Sequence, residues 1–65
     1  MHYFNSSAIH AASYDAGSQT LTIWFTSSGQ PYDYYGVPSY IWHGFLTASS
    51  AGTYFNQFIR DQYAA

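Results

Sequence analysis

The sequence predicts an α+β domain: a three-stranded antiparallel meander followed by two helices packed on one of its faces. Three observations carry that reading. From Thr20 to Thr26, Leu21, Ile23 and Phe25 alternate with Thr20, Thr22, Trp24 and Thr26, the period of a half-buried strand. Gly36-Val37-Pro38-Ser39 then breaks the extended pattern. Beyond it, apolar residues recur at helical spacing, as in Ile41 and Phe45 and again in Phe55, Ile59 and Tyr63. A chain of 65 residues forms one domain, residues 1–65, with 1–6 expected to be a flexible N-terminus.

Taken in order, Ser7 to Tyr14 reads as a short strand of small residues. Asp15-Ala16-Gly17-Ser18-Gln19 is a turn that Asp caps and Gly supplies with its unusual backbone angles. Thr20–Thr26 is the clearest strand, its β-branched content suited to a pleated surface. Ser27-Ser28-Gly29 turns the chain. Tyr32 to Tyr35 is the third strand, with Pro31 confined to a strand start or an edge. Pro38 is tolerated at a helix start, and Ile41, Phe45 and Leu46 share a side of the first helix, with Trp42 beside them. Ser50 is the expected N-cap of the second helix, whose apolar face holds Tyr54, Phe55, Phe58, Ile59 and Tyr63. Phe25, Phe45, Phe55 and Phe58 are the expected core; Trp24, Tyr34 and Tyr35 are expected to face out.

Composition excludes several functions. Fifteen residues are aromatic, yet only Asp15, Asp33, Asp61 and Arg60 are charged. One basic residue cannot neutralise many phosphates, so duplex nucleic acid is not an expected partner. With no Cys there is no disulfide framework, thiolate site or cysteine nucleophile. No apolar run is long enough to span a membrane. Met1-His2-Tyr3-Phe4 lacks a signal peptide's basic-then-apolar layout, so a cytoplasmic protein is expected. Small size and low charge favour self-association, and a homo-oligomer is expected.

Ser6-Ser7, Tyr14-Asp15, Thr20-Leu21-Thr22-Ile23-Trp24-Phe25 and Tyr32-Asp33-Tyr34-Tyr35-Gly36-Val37-Pro38 are followed by Leu46, Ala48-Ser49-Ser50-Ala51-Gly52, Tyr54-Phe55-Asn56 and Ile59-Arg60. In these residues, over about Ser6 to Tyr63, the chain resembles the KTSC domain family, named for its occurrence at the C-terminus of some lysyl-tRNA synthetases. The Tyr-x-Tyr-x-Gly-Val-Pro and Ser-x-Gly-x-Tyr-Phe-Asn-x-x-Ile-Arg runs, in that order, are the most specific part. The resemblance implies a small bacterial or phage protein, or an appendage, without a catalytic mechanism. Typical members are richer in Lys and Glu, of which this chain has none.

Gly52, Asn56 and Arg60 fall four residues apart and would line one edge of the second helix. Arg60 can grip a phosphate or carboxylate bidentately, Asn56 both donates and accepts, and Gly52 lies where free N–H groups favour an anion. Tyr34 and Tyr35 would stack on a base. The plainer alternative pairs Arg60 with Asp33, Asp15 or a carbonyl, with Asn56 bracing a loop and Gly52 admitting a close helix. Trp24, among Thr residues on its strand face, is a candidate interface residue. His2, His10 and His43 lack metal-ligand spacing, so no metal and no cofactor is expected. Ser7, His10 and Asp15 do not make a hydrolase, since a strand would put Ser7 and His10 on opposite faces and the nucleophile elbow is absent.

Two functions compete. One is a non-catalytic, homo-oligomeric module that binds an anionic small molecule such as a nucleotide; the concrete version is a phage protein, in the host cytoplasm, that sequesters a nucleotide immune signal. The other is a protein-interaction module or inhibitor of a host protein, working through an aromatic surface. A weaker third is a single-stranded RNA-binding appendage using Tyr stacking, against which the net charge of −2 counts.

Overall fold

The structure, a computed structural model, describes residues 1–63. In chain order it forms β1 (His2–Tyr3), β2 (Ile9–Asp15), β3 (Thr20–Phe25), β4 (Pro31–Tyr34), α1 (Ser39–Thr47) and α2 (Ala51–Phe58). The strands make one antiparallel sheet in the order β1-β2-β3-β4. The α+β class and the helices on one face match the sequence reading; the strand number does not. His2 pairs with Ala12 and Tyr3 with Ala11, and the Phe4 N–H donates to the His10 carbonyl at 3.0 Å. The N-terminus is therefore an edge strand rather than a flexible tail. Its anchor is Phe4, whose ring meets Phe45 at 4.7 Å between centroids. Two residues of strand offer no alternation to read in a sequence.

Cross-strand register fixes which side chains face the helices. Leu21 opposes Tyr34 and Tyr14, while Ile23 opposes Tyr32 and Ala12. The wholly buried Ile9, Ala12, Leu21 and Ile23 pack beneath Val37, Phe45 and Ile59, with Tyr34, Ile41, Ala51 and Phe55 completing the core. Tyr34 thus belongs to the core, not to the outward set. Phe58 moves the other way and is 45% exposed, stacked on Tyr54 at the rim. The register slips between Ile9 and Ala11, a bulge that contains His10.

The turns also differ in detail from expectation. Asp15 caps the first by accepting from the Gly17 N–H and the Ser18 hydroxyl, both at 3.0 Å. The left-handed residue there is Gln19, at φ 55°, rather than Gly17; the Gln19 carbonyl accepts from the Val37 N–H at 2.9 Å. Gly36, at φ 71°, turns the chain from β4 toward α1. Pro38 is the N-cap of α1, and the Ser50 side chain caps α2 by accepting from the Thr53 N–H at 3.3 Å. α2 ends at Phe58, short of Tyr63, because Ile59 leaves helical geometry; the Ile59 and Arg60 N–H groups both donate to the Phe55 carbonyl.

The two helices lock through one contact that composition conceals. The Tyr54 hydroxyl donates to the Ile41 carbonyl at 3.0 Å, and its ring stacks on Phe45 with centroids 5.9 Å apart. Gly44 makes this possible, since a Cβ there would lie 2.9 Å from Tyr54 Cζ. Gly52 is not crowded: a Cβ there would meet only the Ala8 Cβ, at 3.7 Å.

Gly44→Ala is therefore expected to destabilise the fold by about 1–2 kcal/mol, because displacing Tyr54 outweighs the propensity gain of about 1 kcal/mol. Gly52→Ala is expected to stabilise it by up to about 1 kcal/mol. Urea denaturation of the two variants checks the opposite signs.

Burial, reinforced by neighbouring phenols, pushes Tyr54 and Tyr63 above the ordinary tyrosine range. Folding thus favours their neutral forms. That stability is complete below the unfolded value of about 10 and is lost as pH rises through the folded values. Denaturation midpoints are expected to fall above about pH 10, and less steeply in Tyr54→Phe, which has one fewer phenol to ionise.

Candidate functional site

Arg60 sits just past the end of α2, exposed to solvent. It is not on the helix edge, because the helix stops two residues earlier. Its charge is nevertheless felt at the end of β4. The Tyr34 phenol is pushed up chiefly by burial and further by the neighbouring Tyr32 phenol, while the Arg60 charge pulls it down. Arg60, Tyr34 and Tyr32 therefore form one electrostatic cluster where the chain leaves the second helix and the edge strand ends.

The carboxylates expected to neutralise Arg60 are engaged elsewhere. Asp33 Oδ1 accepts from Thr22 Oγ1 at 2.6 Å on the far face of the sheet. Asp15 caps its own turn. Tyr34 is 8% exposed, and its ring meets Phe55 edge-on at 5.6 Å, so it offers no face for stacking. Tyr32, which the sequence reading left out of the site, is 48% exposed and packs edge-on to Phe25 at 5.7 Å. Alternation along β4 carried the signal, because Tyr32 and Tyr34 share the face toward α2. Tyr35 follows the strand and is 55% exposed.

Asn56 is exposed on the last turn of α2, one turn before Arg60. Gly52 is in the first turn and lies against Ala8. Six residues of helical rise, about 9 Å, separate it from Phe58, and Arg60 lies beyond that end. The stripe is therefore divided: Arg60 and Asn56 share an end of α2 with Tyr34, and Gly52 sits at the other. Trp24 is half-buried on the sheet face away from the helices. No group of three His, Asp or Glu residues able to hold a metal occurs among the described residues.

Two concave surfaces lie elsewhere. A depression of about 210 Å³ is lined by Ser49, Ser50, Thr53, Tyr54 and Gln57. A second, of about 330 Å³, lies between His2–Ser6 and Leu46, Ser49 and Ala51. Neither contains a carboxylate or the guanidinium. Arg60 itself is exposed, which suits it to gripping a charged group. No helix among the described residues is long and apolar enough to cross a membrane.

Comparison with known proteins gives the family. A protein of Tsukamurella paurometabola is 40% identical over 60 residues, covering 92% of this chain and 88% of that one. A lysine–tRNA ligase of Nostoc punctiforme is 40% identical over 57 residues, which are 88% of this chain but 10% of the ligase. The crystal structure of a KTSC domain protein from Yersinia pestis superposes with a TM-score of 0.91 at 30% identity, covering 97% of this chain and 87% of that one. The KTSC domain model matches residues 5–63, and the chain belongs to the KTSC domain family.

Proposed function

We propose that the chain is a non-catalytic binding module that captures a small anionic ligand, of the nucleotide class, at Arg60. The observation that carries this reading is the exposed Arg60, whose charge acts on the Tyr34 phenol, with Asp15 and Asp33 held by other partners. A phosphate is the natural anion for a planar guanidinium with a neighbouring hydroxyl donor. Tyr32 and Tyr35, each about half exposed, supply rings against which a base can lie. Asn56, a turn away, adds a donor and an acceptor. An open site with these groups suits sequestration. For a phage-encoded chain, the ligand would be a nucleotide signal of the host.

The second reading is a protein-interaction module. It is supported by Tyr3, Tyr35 and Tyr40, each more than half exposed, because exposed aromatics anchor protein interfaces. An RNA-binding appendage draws support only from the match to a small part of a lysine–tRNA ligase, and a single Arg is a poor electrostatic footprint for it.

Isothermal titration with nucleoside mono- and diphosphates, and with the matching nucleosides, tests the first reading. Nucleotides are expected to bind and nucleosides to bind at least about tenfold more weakly. Arg60→Ala is expected to cost about 10–100-fold and Arg60→Lys somewhat less, since a point charge replaces a fork. An absence of binding at millimolar nucleotide, or full affinity in Arg60→Ala, overturns the reading. A partner protein retained by Arg60→Ala and lost on truncating exposed tyrosines would favour the second.

A further inference from the structure

We infer that the hollow between the N-terminal strand and the junction of the two helices binds a purine base of the adenine type, held along one edge by Asn5 and Ser6. The inference goes beyond the anion site and is independent of it. The hollow lies beside the start of α2, and Arg60 lies beyond its end.

Packing holds both walls of the hollow. One wall is β1 and the segment after it. There the Phe4 N–H donates to the His10 carbonyl at 3.0 Å, and the Phe4 ring rests on Phe45 at 4.7 Å. His2 meets the same Phe4 ring edge-on at 4.6 Å. The opposite wall is formed by Leu46, Ser49 and Ala51, where α1 ends and α2 begins. Phe45 and Ala51 both belong to the core, so neither wall moves without disturbing it. The hollow also joins distant parts of the chain. Ser6 comes from the first run that carries the family resemblance, and Ser49 and Ala51 come from a later one.

Three properties select the occupant. The first is charge. No carboxylate or guanidinium lines the hollow, so nothing there calls for a charged ligand. The second is size. At about 330 Å³, the hollow is roughly twice the cavity of about 150 Å³ that takes a benzene ring. Two fused rings fill it and one does not. Phe4, Leu46 and Ala51 give those rings apolar contact. The third is the polar set. Ser6 Oγ accepts from the Ala8 N–H at 3.2 Å and from the Ile9 N–H at 3.3 Å. Both lone pairs are then in use, and the hydroxyl proton is what Ser6 has left to offer. The two bonds already made set its direction. Asn5, next to it and exposed, carries a donor and an acceptor on one planar amide. A carboxamide pairs with the amino group and ring nitrogen that adenine presents side by side. The fixed Ser6 donor then asks for another ring nitrogen. An uncharged bicycle with one amino group and several ring acceptors meets all three conditions.

Amide chemical shifts of the isotope-labelled chain during titration with adenosine test this, with millimolar binding expected for a ligand of so few atoms. The shifted amides should include those of Asn5, Ser6, Ser49 and Ala51. Inosine, in which a carbonyl replaces the amino group, and cytidine, which has one ring, should each bind at least about fivefold more weakly. Asn5→Ala should weaken adenosine binding at least about fivefold, with far-UV circular dichroism showing that it folds. Arg60→Ala, which alters the anion site, and Gln57→Ala, which alters the other depression, should leave it unchanged. Four results each overturn the inference. They are no shift in these amides at about 20 mM adenosine, inosine, cytidine or indole binding as tightly as adenosine, full affinity in Asn5→Ala, and loss of binding in Arg60→Ala. The last would move the nucleoside to the anion site. Adenosine binding that survives Arg60→Ala supports the hollow even where no nucleotide binds at Arg60.

Discussion

Phe45 is the residue on which the helical layer depends. It is wholly buried, and its ring touches rings from three directions: Phe4 at 4.7 Å, Trp42 at 6.3 Å and Tyr54 at 5.9 Å. Phe4 ties down the N-terminal strand, Trp42 joins the helical layer to β2 by stacking on Tyr14, and Tyr54 brings α2 against α1. A domain of this size has little interior to spare, and one large ring shared by three segments uses it well. Truncating Phe45 would open a cavity at the point where these segments meet. The edge strand β1, with only two residues of pairing, depends on that junction more than on its own hydrogen bonds.

Scarcity of charge is the second constraint, and tyrosine answers it. The Tyr14 hydroxyl donates to the Val37 carbonyl and the Tyr54 hydroxyl to the Ile41 carbonyl. Each joins separate parts of the chain while its ring contributes apolar area. A phenol can do both tasks because its body is hydrophobic and its tip is polar. Among the described residues no buried side-chain polar atom lacks a partner, so the aromatic core carries no hidden desolvation penalty. The same property makes the fold sensitive to alkali, since its polar ties are also its titrating groups.

Much of this was legible in the sequence, and the failures have identifiable causes. The alternation of β3 and the Ser50 cap were plain, because each depends on neighbours a few residues away. Tyr34 was misjudged because alternation says which residues share a face but not which face is covered; its burial under Phe55 comes from α2, twenty residues on. Phe58 looked like core because a stripe half a turn wide takes in the helix margin, where Phe58 lies against Tyr54 and stays 45% exposed. Gly44 drew no attention because a glycine inside a helix normally marks only a weaker helix. Its role rests on Tyr54, a residue of the other helix. For the candidate site, the distance of Gly52 from Arg60 was not legible. Helical spacing aligns residues on one edge but also separates them along the axis.

The division of the molecule into two layers bears on how such a domain is used. The helical layer and the end of β4 hold the cluster of Arg60, Tyr34 and Tyr32, while the opposite sheet face holds Tyr3, Trp24 and Pro31. A contact on either does not obstruct the other. The same fold therefore suits a chain of this length, as in the Tsukamurella paurometabola and Yersinia pestis relatives, and a small part of a much longer ligase. In a longer protein the uncovered sheet can rest on a neighbouring part of that protein. An exposed apolar row gains from cover, whereas an exposed guanidinium is already satisfied by water. The two layers thus differ in kind: the lone cation lies on the helical side, and the open sheet face carries the larger apolar row.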